Sequence, residues 1–343
     1  MMEQTDEMVA FNWQGGEPTL MGLPFFQKAV DFQKKYGRNH QVGNGFQTNG
    51  ILIDDHWAKF FAEYNFLIGL SVDGPQHIHD QYRKTVGGSG SWQKVVDTAK
   101  RLLNAGVEVN ALTVVNNYSV KFPEEIFKFL REIGLNYMQF IPCIERDPFH
   151  PNKLASFSVS AEDYGHFLCK IFDLWLESFY DGVQTTSVRF FESLLFTYVN
   201  MSPPECTLME ECGNYLVIEH NGDVYSCDFF VEPEWKLGNI LADQLTDLLN
   251  SPKQDAFGKI KAKLPQMCVN CKWLNQCRGG CVKDRLRNPI NQNDNYFCQS
   301  YKIFLQYTND RFIKLAKEWE KNQQEQRQQI KNSILEAVAK GRI

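Results

Sequence analysis

Cys268, Cys271, Cys277 and Cys281 fall within fourteen residues of one another, in the pattern C-x2-C-x5-C-x3-C. Four soft anionic donors held that close in sequence need a cation, and zinc and an iron–sulfur cluster are the two that suit them. Gly279 and Gly280, just before Cys281, let the backbone fold tightly around such a centre. Cys206, Cys212 and Cys227 lie upstream and Cys298 downstream, so eight of the ten cysteines divide into two sets of four. Two four-thiolate metal sites are expected, and the spacing by itself leaves zinc and iron–sulfur level.

The compartment follows from the same residues. The acidic, polar start Met1–Glu7 is not a secretory signal, so ten cysteines point to metal or redox chemistry in a reducing cytoplasm rather than to disulfides. Apolar runs such as Phe66–Val72 are too short to span a bilayer, so no membrane association is expected. Lys and Arg number 36 against 41 Asp and Glu, with no long basic tract, which argues against nucleic acid as a partner.

Along the first half, short apolar runs alternate with amphipathic stretches. Strands are predicted at Met8–Gln14, up to Phe46–Thr48, at Leu67–Ser71, Val107–Val115 and Tyr137–Pro142. Helices are predicted between them. They are Leu23–Tyr36 (with Phe25, Phe26, Ala29, Val30 and Phe32 on one face), Asp54–Tyr64 opening at an Asp54 N-cap, Trp92–Asn104 and Pro123–Ile133. Five strands alternating with four helices make an α/β fold with a parallel sheet, open or curved into a barrel. Chemistry in such folds gathers at the C-terminal ends of the strands.

Those ends read Gln14-Gly-Gly-Glu-Pro-Thr, Gln47-Thr-Asn-Gly, Ser71-Val-Asp-Gly-Pro and Pro142-Cys143. Turn chemistry explains any one of them. Three successive strands ending in Gln, Ser or Asp beside glycine point further, to a small-molecule site. His77-Ile-His79 has no carboxylate or cysteine partner at ligand spacing and reads as loop or surface. Cys169 lies on a helical apolar face and reads as a buried small hydrophobe, and Cys143 has no ligand-spaced neighbour.

In the second half, Ala161–Tyr180 is predicted as one long helix, with apolar residues at 164, 167, 168, 171, 172, 175, 176 and 179. Ser202-Pro203-Pro204 marks a domain boundary. Tyr215–Glu219 and Asp223–Ser226 flank Asn221-Gly222 as a hairpin, and Cys227-Asp228 follows directly. After the polar loop Asn288–Asn295, a helix from Lys302 to about Lys317 leads into a polar tail, Trp319–Ile343, an exposed helix or frayed end.

The order Gln14-Gly-Gly-Glu-Pro-Thr, Gln47-Thr-Asn-Gly, Leu70-Ser-Val-Asp-Gly-Pro and Arg83 resembles radical S-adenosylmethionine enzymes. The cysteine-rich half resembles their SPASM extension. Together they resemble the anaerobic sulfatase-maturating enzymes from about Met8 to about Phe312. The resemblance implies a partial (β/α) barrel over residues 1–200, a SPASM auxiliary cluster domain over 201–312 and a polar helical tail over 313–343. It implies that Cys206, Cys212, Cys227 and Cys281 hold one auxiliary [4Fe–4S] cluster, and Cys268, Cys271, Cys277 and Cys298 a second, and it moves the balance from zinc to iron. Gly16, Ser71, Arg83 and Ile144 match positions that contact S-adenosylmethionine, with Gln14 and Gln47 at nearby polar positions. Asp228 matches the catalytic base, where the bare sequence offers equally an aspartate closing a hairpin. The implied partners are a client sulfatase polypeptide and an electron donor such as ferredoxin or flavodoxin, with the enzyme a monomer.

The family also carries a C-x3-C-x2-C loop after its first strand, whose cysteines hold a third, radical-generating cluster. The first cysteine here is Cys143. The expectation is therefore that Met8–Gln14 corresponds to the family's second strand, with an exposed edge, and that the ligands of the radical cluster are missing. Two other readings follow: a SPASM-type maturase of another peptide, and a non-catalytic iron–sulfur or zinc protein that binds a partner.

Overall fold

The computed structural model describes residues 8–37, 40–150, 152–289 and 291–339. The leader Met1–Glu7 and the end of the tail lie outside the described residues. The first half runs β1 (Val9–Trp13), α1 (Leu23–Gly37), β2 (Val42–Thr48), α2 (Asp55–Glu63), β3 (Phe66–Ser71), α3 (Gln76–Tyr82), α4 (Trp92–Asn104), β4 (Glu108–Val115), α5 (Pro123–Glu132) and β5 (Tyr137–Pro142). The Asp54 carboxylate caps α2 by accepting from His56 N and Trp57 N. Helix α3 was not expected. It carries the two histidines read as loop or surface, and it separates them: His77 is exposed, while His79 is fully buried. Residues two apart on a helix point about 200° apart, so one of such a pair faces inward.

Next come α6 (Ala161–Glu177), β6 (Phe179–Tyr180), β7 (Val183–Gln184), β8 (Ser187–Val188) and α7 (Arg189–Tyr198). The helix expected to reach Tyr180 stops at Glu177. Ser178 Oγ donates to Trp175 O at 2.7 Å there, and Phe179–Tyr180 turn into a hairpin with Val183–Gln184. The hairpin returns the chain to the sheet as a short sixth strand, giving the order β1-β2-β3-β4-β5-β8, with every pair parallel. Among the described residues β1 and β8 do not pair, so the sheet is open and all its C-terminal ends lie along one rim.

Packing explains two further departures. On α1 the buried residues are Phe26, Val30, Gln33 and Gly37, a four–three–four spacing down one stripe, while Phe25 and Phe32 are exposed. Gln33 is buried because it exchanges two amide hydrogen bonds of 2.9 Å with Asn44 on β2. Phe26, Phe46, Trp57 and Phe61 then pack together between the sheet and its helices, the Phe26 and Phe46 rings edge to face with centroids 5.0 Å apart. Cys169 is buried on α6, as its helical face implied.

The cysteine-rich half is built of short pieces: β9 (Val217–Ile218), β10 (Asp223–Tyr225) and β11 (Lys236–Asn239) in one small sheet, then α8 (Leu245–Leu249), α9 (Pro252–Ala262), α10 (Gln266–Val269), α11 (Leu274–Cys277) and α12 (Val282–Leu286). Among the described residues its own apolar cluster is Phe230, Phe257 and Val282, with Cys212, Cys227, Trp235 and Ile260 partly buried against them. One continuous helix, α13 (Cys298–Ala339), replaces the expected helix and tail, since no Gly or Pro interrupts residues 298–339.

Helix α13 docks along α6. A Cβ built on Gly165 would stand 3.0 Å from Ser300 Cα and 3.1 Å from Ile303 Cβ, so the helices meet where α6 has no side chain. Arg311 Nη1 and Tyr307 OH donate to the two Asp173 oxygens at 2.6 and 2.8 Å. Gly165→Val should therefore cost about 1–3 kcal/mol by overpacking. A urea midpoint equal to that of the unaltered protein would show that the helices are not in close contact.

Candidate active site and cluster ligands

The rim is organised by Glu17. Its Oε1 accepts from Thr19 N (3.1 Å), Thr19 Oγ1 (2.6 Å) and Thr48 Oγ1 (2.8 Å), and its Oε2 accepts from Asn49 N (2.8 Å). The carboxylate thus ties the end of β1 to the end of β2. Gly15 and Gly16 arch over this tie at φ +87° and +49°, and a Cβ built on either meets nothing within 4 Å. Exposed backbone of that kind can approach a ligand closely. Sequence reasoning placed Glu17 in the motif without giving it a role; the signal was a carboxylate after Gly-Gly facing a Thr-Asn pair.

Ser71 ends β3 half-buried, and Arg83 follows α3. Arg83 Nε and Nη2 donate to Asp73 Oδ2 (2.6 Å) and Oδ1 (3.1 Å), and Val114 N also donates to Oδ1 at 2.9 Å. This fork-on-carboxylate pair fixes the guanidinium plane. His79 braces it from beneath. Asp73 N donates to His79 Nδ1 at 3.3 Å, and Ser91 Oγ donates to Arg83 O at 2.9 Å. That leaves His79 Nε2 to donate to Ser91 Oγ at 3.0 Å, assigning the neutral Nε2–H tautomer. Gln47 is exposed on β2, and Ile144 is buried in the main core just past β5. Gln14, Gly16, Gln47, Ser71 and Arg83 therefore share the rim, while Ile144 offers no open surface.

Asp228 comes to the same rim from the cysteine-rich half. Gln14 Nε2 donates to Asp228 Oδ2 at 2.9 Å, across 214 residues of chain, and Tyr215 OH donates to Oδ1 at 2.8 Å. Asp228 also sits in a tight turn, with Phe230 N donating to Cys227 O at 3.0 Å. It is both a turn residue and a half-buried carboxylate presented to the sheet.

All ten thiols are free. Among the described residues no three His, Cys, Asp or Glu side chains close on a single-ion site. Charge nonetheless links several of the thiols. Cys206 acts on Cys212 and Cys281, and Asp228, next to Cys227, acts on Cys206. Cys268 and Cys298 act on Cys277, and Cys298 and Cys271 act on Cys268. Gly279 and Gly280, at φ +72° and +64°, turn the chain sharply between Cys277 and Cys281. Burial pushes the Cys281 and Cys227 thiols up to about 12 and Cys277 up to about 11.

The donor chemistry fits iron–sulfur centres: two groups of soft ligands, in a module whose three-residue core needs a staple. The open Gly15–Gly16 arch likewise fits a small ligand lying against the rim.

Comparison with known proteins matches a different family model to each half of the chain. Residues 3–139 match the family model described as the Radical SAM superfamily, and residues 206–272 match SPASM, an iron-sulfur cluster-binding domain. Sheet and module together define a radical S-adenosylmethionine protein with an iron–sulfur extension, and the families imply both iron–sulfur clusters and that cofactor. The chain is 40% identical over 320 residues to the serine-type anaerobic sulfatase-maturating enzyme of Bacteroides thetaiotaomicron, covering 89% of this chain and 77% of that one. It is 39% identical over 317 residues to the cysteine-type enzyme of Clostridium novyi, covering 92% and 84%. It matches the structure of native anSMEcpe with bound AdoMet at a TM-score of 0.86 and 36% identity, covering 92% and 86%. The chain belongs to the anaerobic sulfatase-maturating enzymes. The fold class and family expected from the sequence both stand. No helix among the described residues is long and apolar enough to cross a membrane.

Burial lowers the His79 pKa from 6.5 to about 4. The folded state therefore holds His79 neutral, while the unfolded chain takes up a proton below its ordinary value. Its contribution to stability is complete above pH 6.5 and is lost as the pH falls towards 4, up to about 3 kcal/mol by linkage. His79→Asn should flatten the fall in urea midpoint across that window; an unchanged slope would mean the ring is not held neutral.

Proposed function

We propose that this protein matures sulfatases under anaerobic conditions, oxidising a peptidyl Cys or Ser of a client sulfatase to formylglycine. The observation that carries the reading is the Asp228 carboxylate, which belongs to the cysteine-rich half yet is held at the strand rim by Gln14. Cys206, Cys212, Cys227 and Cys281 would hold one auxiliary [4Fe–4S] cluster and Cys268, Cys271, Cys277 and Cys298 the other. Gly16, Ser71 and Arg83 would contact S-adenosylmethionine, with Gln14 and Gln47 lining the pocket beside it; Ile144, expected among the contacts, is buried in the core and would back the pocket from behind. The reading divides the chain into residues 1–200 for the cofactor-binding sheet, 201–312 for the clusters and 313–343 for the tail. A ferredoxin or flavodoxin would supply electrons, and free thiols throughout suit a reducing cytoplasm. The enzyme would act as a monomer.

S-adenosylmethionine, when bound and reductively cleaved with an electron from the donor protein, would supply the radical that removes a hydrogen atom from the client's Cβ. What remains would lose a proton to a base and an electron to an auxiliary iron–sulfur centre to become the thioaldehyde or aldehyde. Asp228 is arranged to take the proton: Oδ1 accepts from Tyr215 OH and from Cys227 Sγ, and Oδ2 accepts only from Gln14, which fixes the carboxylate and leaves a lone pair open on Oδ2. Arg83, held flat by Asp73, would present its remaining N–H groups to the cofactor's carboxylate.

Metal content tests the ligand sets. Anaerobically reconstituted protein should carry about eight irons with matching sulfide in its two auxiliary centres. Cys281→Ala should lose the centre of Cys206, Cys212 and Cys227 and spare the other. Loss of the Cys268 centre instead would overturn the partition, and tight zinc without sulfide would overturn the iron–sulfur assignment.

Chemistry tests Asp228. In enzyme that cleaves S-adenosylmethionine, Asp228→Asn should leave cleavage intact and lower formylglycine formation by roughly 10²-fold or more. Unchanged product formation would reduce Asp228 to a turn residue.

A further inference from the structure

Lys261 is a buried cation that none of the proposed chemistry uses. It stands near the end of α9 with no exposure to solvent. Its Nζ donates to Cys206 O at 2.8 Å and Thr207 O at 2.7 Å, and among the described residues no carboxylate pairs with it. Cys206 is thus in direct contact, Cys212 N donates to Gly258 O at 3.3 Å one turn earlier on α9, and the charges of Cys206, Cys212 and Cys281 bear on the ammonium. Arg285, also buried, is its neighbour and donates to Lys261 O at 3.1 Å. The other Arg285 bonds run to the carbonyls of Gly279, Lys263 and Arg278, again with no carboxylate. Two cations thus lie side by side in the interior with only neutral acceptors.

Such an arrangement is costly. Each ion loses several kcal/mol of hydration on burial, and carbonyl dipoles do not cancel a net charge. The protein tolerates it only where an anion completes the site. Four thiolates around a four-iron core make a dianion when oxidised and a trianion when reduced, placed where the lysine's neighbours are. A fixed cation beside that centre favours the form with the extra electron, because net charge and hydrogen bonding around a cluster set its potential.

We propose that Lys261 is the counter-ion of the centre held by Cys206, Cys212, Cys227 and Cys281, placed to stabilise that centre's reduced form, with Arg285 a second cation shared between the two cysteine groups. This rests on the iron–sulfur reading of those cysteines. It differs from a purely mechanical role, in which Lys261 would only pin the Cys206–Thr207 turn through its two carbonyl bonds.

The test uses reconstituted Lys261→Gln, which keeps a donor and loses the charge, and Lys261→Arg, which keeps the charge. Iron and sulfide are counted, and a reductive titration is followed by electron paramagnetic resonance. Cys281→Ala identifies which signal belongs to the upstream centre. At the potential where the unaltered upstream centre is half reduced, its reduced-to-oxidised ratio in Lys261→Gln should fall by about tenfold or more, equivalent to about 59 mV for one electron. The downstream centre should not move, and Lys261→Arg should titrate within about threefold of the unaltered protein. Loss of the upstream iron in Lys261→Gln with retention in Lys261→Arg would also show that the charge is required. Full iron with an unshifted titration in Lys261→Gln would overturn the proposal, as would loss of the upstream iron in both variants. Zinc without sulfide in the unaltered protein overturns the iron–sulfur reading and the redox role with it, and that result is read before any variant is made.

Discussion

The cysteine-rich module cannot be held together by its own apolar contacts, and much of the architecture answers that shortage. Phe230, Phe257 and Val282 are a core too small to offset the ordering of about a hundred residues. Support comes from outside, where α13 lies against α6 at a point of close approach made possible by Gly165. Because α13 starts at Cys298, the same contact sets the position of one cysteine relative to the sheet. Metal binding supplies the rest on the proposed reading, so folding of the module and assembly of its centres become one process.

Docking brings the polar groups of both halves to one rim. Within Gln14-Gly15-Gly16-Glu17 the labour divides by residue type. Glu17 is divided between capping its own loop at Thr19 and tying that loop to the end of β2, the glycines leave backbone open beside the tie, and Gln14 reaches across to Asp228. A carboxylate in the first position or an amide in the fourth would break one of these functions without disturbing the strand itself. The site exists only because two segments 214 residues apart are held to hydrogen-bond distance.

Charge is handled differently on the two sides of that rim. On the sheet side, Asp73 neutralises Arg83, and His79 is held neutral beneath the pair, so little uncompensated charge is present before a ligand arrives. On the module side, Lys261 and Arg285 are buried without acids. The first arrangement fixes geometry in advance, and the second leaves a positive field to be met by whatever the thiols bind.

Much of this was readable in the residues alone, for a local reason. Strand and helix alternation is written in period-two and period-3.6 patterns that neighbouring residues set among themselves, so β3, α4, β5 and the Asp54 cap fall where expected. The clustering of eight of the ten thiols in the second half needed only counting. Tertiary structure alone decided the rest. Phe25 and Phe32 face solvent because Gln33 found Asn44, and α6 ends early because Ser178 turns the chain into a hairpin. His79 is buried because α3 lays it against Ser91 and Asp73. Cys277 and Cys281 lie four residues apart, but two glycines in the left-handed region turn the chain sharply between them. Lys261 looks like any surface lysine until folding closes around it. Sequence spacing measures distance along the chain, whereas burial and electrostatic reach depend on distance through space, which these residues acquire only when the two halves pack together.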